Sequence, residues 1–287
     1  MKAKVILFRA DSSSSIGTGH IMRDLVLAKK YADKGAKIIF ATQNLKGNIN
    51  KKILDVGYKL VILKNNRKKE LVKFIKKLSV DLLVIDHYDI DYKKEKYIKN
   101  KTDVEILAFD DVYNKHYCDI LLNHNIYADK KRYEDLVPKW CKLLCGYKYT
   151  LIRDEFITAK QKTYKKSQKF TVFVAMGGAD SANLNIDILK ALGNFQNLKI
   201  YIVTTTANAN LKMLKTYIKN RSYIKLYIDS TKVAKLMAKS DFAVVTPSGV
   251  LNEVFFMQLP FVAIESADNQ HYMVEYLKRM GICKRYV

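Results

Sequence analysis

Short apolar runs alternate with longer amphipathic ones along this chain, and the alternation runs twice. In the first half, strand-like runs fall at 5–8, 37–41, 59–63, 82–85 and 105–109, with helical patterns between them at 20–34, 47–56, 68–78 and 92–100. Runs at 118–122 and 142–146 extend that series. In the second half, strands are expected at 170–176, 199–203, 224–228, 242–245 and 261–264, and helices at 183–192, 208–219, 231–239 and from about 248. Strands that are apolar on both faces must be covered on both faces. A strand–helix–strand rhythm joins parallel neighbours, so the pattern predicts two α/β domains, each a largely parallel sheet between helices. A length of 287 residues suits two domains. The charged stretch 154–168, with Lys160, Lys162, Lys165 and Lys166, is expected as the linker between domains at 1–153 and 169–287. Two such domains are expected to face one another across a cleft.

The stretch Ser12-Ser13-Ser14-Ser15-Ile16-Gly17-Thr18-Gly19-His20 separates the first strand from the first helix. Gly17 and Gly19 let backbone N–H groups approach a ligand, and the helix start that follows offers unpaired donors and partial positive charge. His20 falls in the first turn, where the helix dipole disfavours imidazolium, so a neutral ring able to accept a proton is expected there. The same turn could serve strand–helix packing alone. A nucleotide P-loop is disfavoured because Gly19-His20-Ile21 stands where Gly-Lys-Ser/Thr is needed. A dinucleotide loop is disfavoured because Met22 stands where the third glycine belongs.

In parallel sheets, ligands gather at the carboxyl ends of the strands. Asp86-His87-Tyr88 and Asp110-Asp111 fall at two such ends. With His20 these acids and His87 could also form a metal site, but no compact His-x-His or His-Glu-x-x-His pair anchors one. His116 and His124 carry no motif and are expected to be structural. In the second half, Gly177-Gly178-Ala179-Asp180 repeats the glycine turn, and Ser248 and Gly249 open a helix able to meet a phosphate. Glu253, one turn in, can accept hydrogen bonds from both hydroxyls of a ribose, or simply cap its own helix. The amides of Asn269 and Gln270 suit sugar recognition.

Composition narrows the partners. Fifty-one Lys and Arg against 28 Asp and Glu leave a formal charge of +23. The lysines are scattered, and no zinc finger or RNA-binding aromatic signature accompanies them, so no specific nucleic-acid partner is expected. A basic field favours anionic small substrates. No apolar run approaches the ~18–20 residues of a membrane span, and Met1-Lys2-Ala3-Lys4-Val5 leads into a strand rather than a signal peptide. No membrane partner and a cytoplasmic location are expected. Cys118, Cys141, Cys145 and Cys283 form no Cys-x-x-Cys and read as reduced packing thiols.

Several of these residues together resemble a known family across nearly the whole chain. They are Arg9-Ala10-Asp11, Gly17-Thr18-Gly19-His20 with Arg23, Asp86-His87-Tyr88, Phe109-Asp110-Asp111, Cys145-Gly146-Tyr147 with Arg153, Met176-Gly177-Gly178, Asn252-Glu253 and Asn269-Gln270. The resemblance is to the hydrolases of pseudaminic acid biosynthesis that act on UDP-2,4-diacetamido-2,4,6-trideoxy-β-L-altropyranose. It implies two Rossmann-like domains in a glycosyltransferase-B architecture, with the nucleotide on the second domain. It implies hydrolysis at the anomeric carbon with inversion, with no metal and no cofactor. It places His20 as catalytic base and Tyr88 and Asn269 in the active site. Substrate contacts are expected at Arg9, Asp11, Gly17, Gly19, Arg153, Gly177, Gly178, Ser248, Gly249, Asn252, Glu253 and Gln270. The chain ends at Tyr286-Val287, leaving little length for the terminal helix that often crosses between domains in this architecture.

Overall fold

The computed structural model describes residues 3–180 and 182–282; Cys283 and the Tyr286-Val287 end lie outside them. The chain divides into two compact units, the first ending at Leu151 and the second beginning at Ile152. Both are parallel α/β sheets of Rossmann type. Among the described residues, no helix is long and apolar enough to cross a membrane.

In the first unit, strands β1 (Val5–Ala10), β2 (Lys37–Gln43), β3 (Lys59–Leu63), β4 (Leu82–Asp86), β5 (Glu105–Phe109), β6 (Ile120–Asn123) and β7 (Lys142–Cys145) lie in the order β3-β2-β1-β4-β5-β6-β7. Alternate side chains supply two cores, as the two-residue period of a strand requires. Ile6, Phe8, Phe40, Val84 and Leu107 pack with Ile21 and Ala28 of helix α1 (Gly19–Ala32) and Ile53 of α2 (Asn50–Asp55). Leu7, Ile39, Leu83, Ile85 and Ile106 pack with Leu71 and Ile75 of α3 (Lys68–Leu78) and Ile98 of α4 (Tyr92–Thr102). The chain thus leaves β1 toward one face and returns to β4 by the other. The loops after these two neighbouring strands diverge, and that switch point opens a crevice for a ligand.

A buried ionic cluster fixes the segment after β5. His116 Nδ1 lies 2.8 Å from Glu95 Oε1 of α4, and its Nε2 lies 3.5 Å from Asp110 Oδ1. Tyr133 donates to Asp110 Oδ2 at 2.6 Å. Burial by itself would lower the His116 pKa, but Asp110 and Glu95 outweigh it and push it up to about 10. A raised histidine pKa stabilises the fold fully below the unfolded value of 6.5, and that contribution is lost as pH rises through about 10. Urea unfolding of the first unit should therefore show the wild type losing a few kcal/mol more than His116→Gln between pH 7 and 10.5. Equal losses would mean that the histidine is not charged in the fold.

In the second unit, strands β8 (Phe170–Ala175), β9 (Leu198–Thr204), β10 (Ile224–Ile228), β11 (Phe242–Val245) and β12 (Phe261–Ala263) take the order β10-β9-β8-β11-β12. Val172, Val174, Ile200 and Ile202 pack beneath Ile186 and Leu189 of α6 (Leu184–Leu192) and Leu214 of α7 (Leu211–Ile218). The stretch expected as a linker begins instead with a helix, α5 (Asp154–Gln161), which packs on α8 (Val233–Ala238) and α9 (Gly249–Met257). Its lysines hide a short apolar stripe, since Phe156 and Ala159 are buried three residues apart. Asp154 and Glu155 in the first turn and Lys160 in the last complement the helix dipole.

Candidate active site

The loop after β1 closes on itself before α1 begins. Ser13 and Gly17 exchange backbone hydrogen bonds at 3.2 and 2.9 Å, and Ser13 Oγ accepts from Ile16 N at 2.9 Å. Gly17 sits at φ +81°, a conformation that favours glycine. Gly19 opens the helix and His20 follows in its first turn, buried at 9% exposure.

Beneath this loop, Arg9 and Asp11 are turned on one another. Arg9 Nη1 and Nη2 donate to the two Asp11 oxygens at 2.8 and 2.7 Å, and Arg9 Nη1 also donates to the Ala41 carbonyl at 3.1 Å. Asp11 further accepts from Gln43 N at 2.6 Å and lies 3.0 Å from His87 Nε2. Burial would raise the Asp11 carboxyl, but Arg9 and His87 hold it well below the usual carboxylate range. Both residues were expected as substrate contacts. The structure buries them together, where they tie the loops after β1, β2 and β4, because Asn66 and Gln43 cover the end of β1.

His20 meets the end of β4. Ala10 of β1 pairs in register with Asp86, which brings the carboxylate under the first turn of α1. His20 Nδ1 lies 2.6 Å from Asp86 Oδ1. Arg23, one turn along, donates from Nε to Asp86 Oδ2 at 2.6 Å and from Nη2 to Oδ1 at 2.5 Å. Its Nη1 reaches Asp111 Oδ2 at 3.0 Å, and Asp111 Oδ1 accepts from the Tyr88 hydroxyl at 2.8 Å. The Tyr88 ring stands edge-on to His20, with centroids 5.2 Å apart. Burial would raise Asp86, yet Arg23 and His20 hold its carboxyl far below the usual range. Neighbouring Asp24, fully buried, is shifted the other way, upward, by burial and by Asp86. With Nδ1 facing a carboxylate, the imidazole keeps its proton on that nitrogen and presents Nε2 as an acceptor.

The five residues weighed as metal ligands are divided among separate networks: His20 on Asp86, Asp86 and Asp111 on Arg23, His87 on Asp11, and Asp110 on His116 and Tyr133. Among the described residues, no group of three or more His, Cys, Asp or Glu is placed to hold a metal ion. Asp86, Arg23 and Asp111 had no assigned role in the sequence reading. The i, i+3 spacing of His20 and Arg23 was a signal for one of them, because it sets both on one helix face.

In the second unit the switch point lies between β8 and β11. Gly177 sits at φ +77°, and the Gly178 carbonyl accepts from the Thr204 and Thr205 hydroxyls at 3.1 and 2.9 Å. Asp180 accepts from Leu184 N at 2.9 Å and fixes the start of α6. Beside this turn, Ser248 precedes α9 and makes no side-chain cap bond; its hydroxyl lies 2.9 Å from that of Thr246. Gly249 opens α9, Asn252 is buried, and Glu253 accepts from Arg153 Nε at 2.8 Å. Burial raises the Glu253 carboxyl, with Arg153 opposing. Arg153 also pairs with Glu155 at 2.7 Å. Asn269 is exposed on the turn Asp268–Gln270 after β12, while Gln270 is buried and accepts from Ser266 N at 2.8 Å. Gly177, Gly178, Ser248 and Gly249 thus share one mouth of this sheet, whereas the Gln270 side chain is turned onto its own loop.

No family model matches the chain. It is 41% identical over 276 residues to the UDP-2,4-diacetamido-2,4,6-trideoxy-β-L-altropyranose hydrolase of Campylobacter jejuni, covering 96% of this chain and 97% of that one. Among solved structures it is similar to Acinetobacter baumannii MurG, with a TM-score of 0.64 at 12% identity over 100% of this chain and 86% of the other. It is likewise similar to the Neisseria meningitidis UDP-GlcNAc 2-epimerase bound to UDP-GlcNAc, with a TM-score of 0.62 at 10% identity over 97% and 91%. Identities this low show the fold alone, two Rossmann-like domains of the glycosyltransferase-B class. With the long match at 41% identity, the chain belongs to the family of UDP-2,4-diacetamido-2,4,6-trideoxy-β-L-altropyranose hydrolases.

Proposed function

We propose that this protein hydrolyses UDP-2,4-diacetamido-2,4,6-trideoxy-β-L-altropyranose to UDP and free 2,4-diacetamido-2,4,6-trideoxy-L-altrose, without a metal ion. The observation that carries the mechanism is the His20–Asp86 contact of 2.6 Å at the switch point of the first sheet. Nε2 of His20 takes a proton from water as its oxygen attacks the anomeric carbon from the face opposite UDP. The bond between the anomeric carbon and the diphosphate oxygen breaks, and the sugar leaves with inverted configuration. Tyr88, steadied by Asp111, positions the water or the sugar. The second unit holds the nucleotide: backbone N–H groups at Gly177, Gly178 and the start of α9 face the diphosphate and stabilise the charge growing on it. Glu253 accepts the ribose hydroxyls, and Asn269 contributes to the active site.

A time course by NMR in ¹⁸O water with excess EDTA tests this reading. Unlabelled UDP and labelled free sugar, appearing first as the inverted anomer, are expected. Label in the UDP phosphate would mean attack at phosphorus and would overturn the placement of His20. Loss of turnover in EDTA would overturn metal independence. Release that accelerates with an added acceptor sugar would identify a transferase instead.

The ribose assignment has its own test. Hydrogen bonds to a charged acceptor contribute about 1.5–3 kcal/mol, so Glu253→Ala should weaken UDP binding roughly 10–100-fold by calorimetry. Unchanged affinity would remove Glu253 from the nucleotide site.

A further inference from the structure

We infer that Arg23 is a positioning residue for this reaction, a clamp that sets the base and the active-site tyrosine relative to one another. The inference rests on the reading of His20 as base. One guanidinium holds two carboxylates, and each carboxylate orients a different side chain. Two of its nitrogens grip Asp86, which faces His20, and the third reaches Asp111, which accepts from Tyr88. Its guanidinium carbon lies over the Phe109 ring, 5.2 Å from the centroid, so the group is also held against an aromatic surface. Lysine could supply the charge but not three directed donors in one plane.

The charge of Arg23 also bears on His20, whose Nδ1 lies 3.1 Å from Arg23 Nη2. The other groups around the guanidinium come from every neighbouring element. Asp24 on α1 has its carboxyl pushed up by burial, Asp86 ends β4, Tyr88 follows it, and Asp111 follows β5. His124 follows β6, where burial and Arg23 push it down to about 3, so it stays uncharged at neutral pH. Tyr127 donates to the Asp111 backbone carbonyl. At neutral pH, Arg23 is therefore the fixed cation against the carboxylates Asp86 and Asp111.

Arg23→Lys and Arg23→Gln test the clamp, with kcat, KM and the pH profile followed on the UDP-sugar. For Arg23→Lys, kcat should fall by up to about 100-fold with KM little changed, as misplacement of a reacting group produces. Arg23→Gln, which keeps neither the charge nor the three donors, should lower kcat at least as far, again with KM little changed. Asp111→Asn combined with Arg23→Lys should cost less than the product of the single effects, because both act on Tyr88. A folded Arg23→Lys protein with wild-type kcat and profile would overturn the clamp. Nitrogen-15 NMR of labelled histidine gives a readout independent of turnover. The wild type should carry the His20 proton on Nδ1, and Arg23→Lys should show a mixture of tautomers. If neither variant folds, a wild-type His20 proton found on Nε2 still refutes the clamp, and one on Nδ1 supports it. Failure of the functional reading is distinct, since it would appear as intact substrate with the wild-type enzyme.

Discussion

His20→Ala should lower kcat by about 10²–10⁴-fold while leaving UDP affinity nearly unchanged. The size follows from the role. A base poised to take a proton as water attacks contributes in the transition state and little to ground-state binding, so the loss falls on kcat. The proposed nucleotide contacts are on the second unit, at Gly177, Gly178 and the start of α9, and the substitution leaves them unchanged. Residual turnover should persist, because backbone donors still stabilise the departing diphosphate. Rates come from the NMR time course, UDP affinity from calorimetry, and folding from circular dichroism. Near-normal turnover by a folded His20→Ala protein would exclude the base assignment. A large loss of UDP affinity would mean that His20 binds the nucleotide instead.

The fold was legible because its signals are local. A run such as Val5-Ile6-Leu7-Phe8 shows its strand character without reference to anything else, and parallel sheets of such strands leave few architectures to choose among. The last two strands of the first sheet, β6 and β7, fall on the runs at 118–122 and 142–146. Helix α5 was hidden for a local reason too: five lysines between 160 and 169 masked an apolar stripe of only two residues, Phe156 and Ala159.

The site was legible only in part, because its partnerships are not local. Asp86 lies 66 residues from His20, and their contact depends on β4 adjoining β1 rather than any other strand. Strand adjacency is a property of the whole sheet. Asp111 reaches Arg23 across 88 residues for the same reason. The converse case is Arg9-Asp11. A charged pair at a strand end looks like an open binding feature, yet here it is buried by residues arriving from the ends of β2 and β3, such as Gln43 and Asn66. In the sequence the two kinds of strand-end acid are alike. Each is held by an arginine, and what separates them is the other partner: Asp86 also faces His20 of the glycine loop, whereas Asp11 faces Gln43 N and His87.

Asp86→Asn should reduce kcat by a factor comparable to His20→Ala, although the imidazole remains in place. The amide can offer its NH₂ where the carboxylate accepted, so Nδ1 becomes the acceptor and the proton moves to Nε2. A ring with its proton on Nε2 cannot take one from water. The same substitution in a Ser-His-Asp triad costs about 10⁴-fold with geometry preserved, and for the same reason. Stability should fall as well. Asp86 is 2% exposed and carries two hydrogen bonds from Arg23, and removing one partner of a buried pair typically costs about 3–5 kcal/mol. The depressed Asp86 carboxyl stabilises the wild type above its unfolded pKa of 3.8, and this contribution is lost as pH falls below it. The stability gap between wild type and Asp86→Asn should accordingly be widest at pH 7 and only about 1 kcal/mol smaller at pH 3, with the rest lost below that pH, as urea unfolding at pH 7 and pH 3 would measure. Turnover by folded Asp86→Asn close to that of the wild type would show that the carboxylate does not set the tautomer of His20, and that the 2.6 Å contact serves the fold alone.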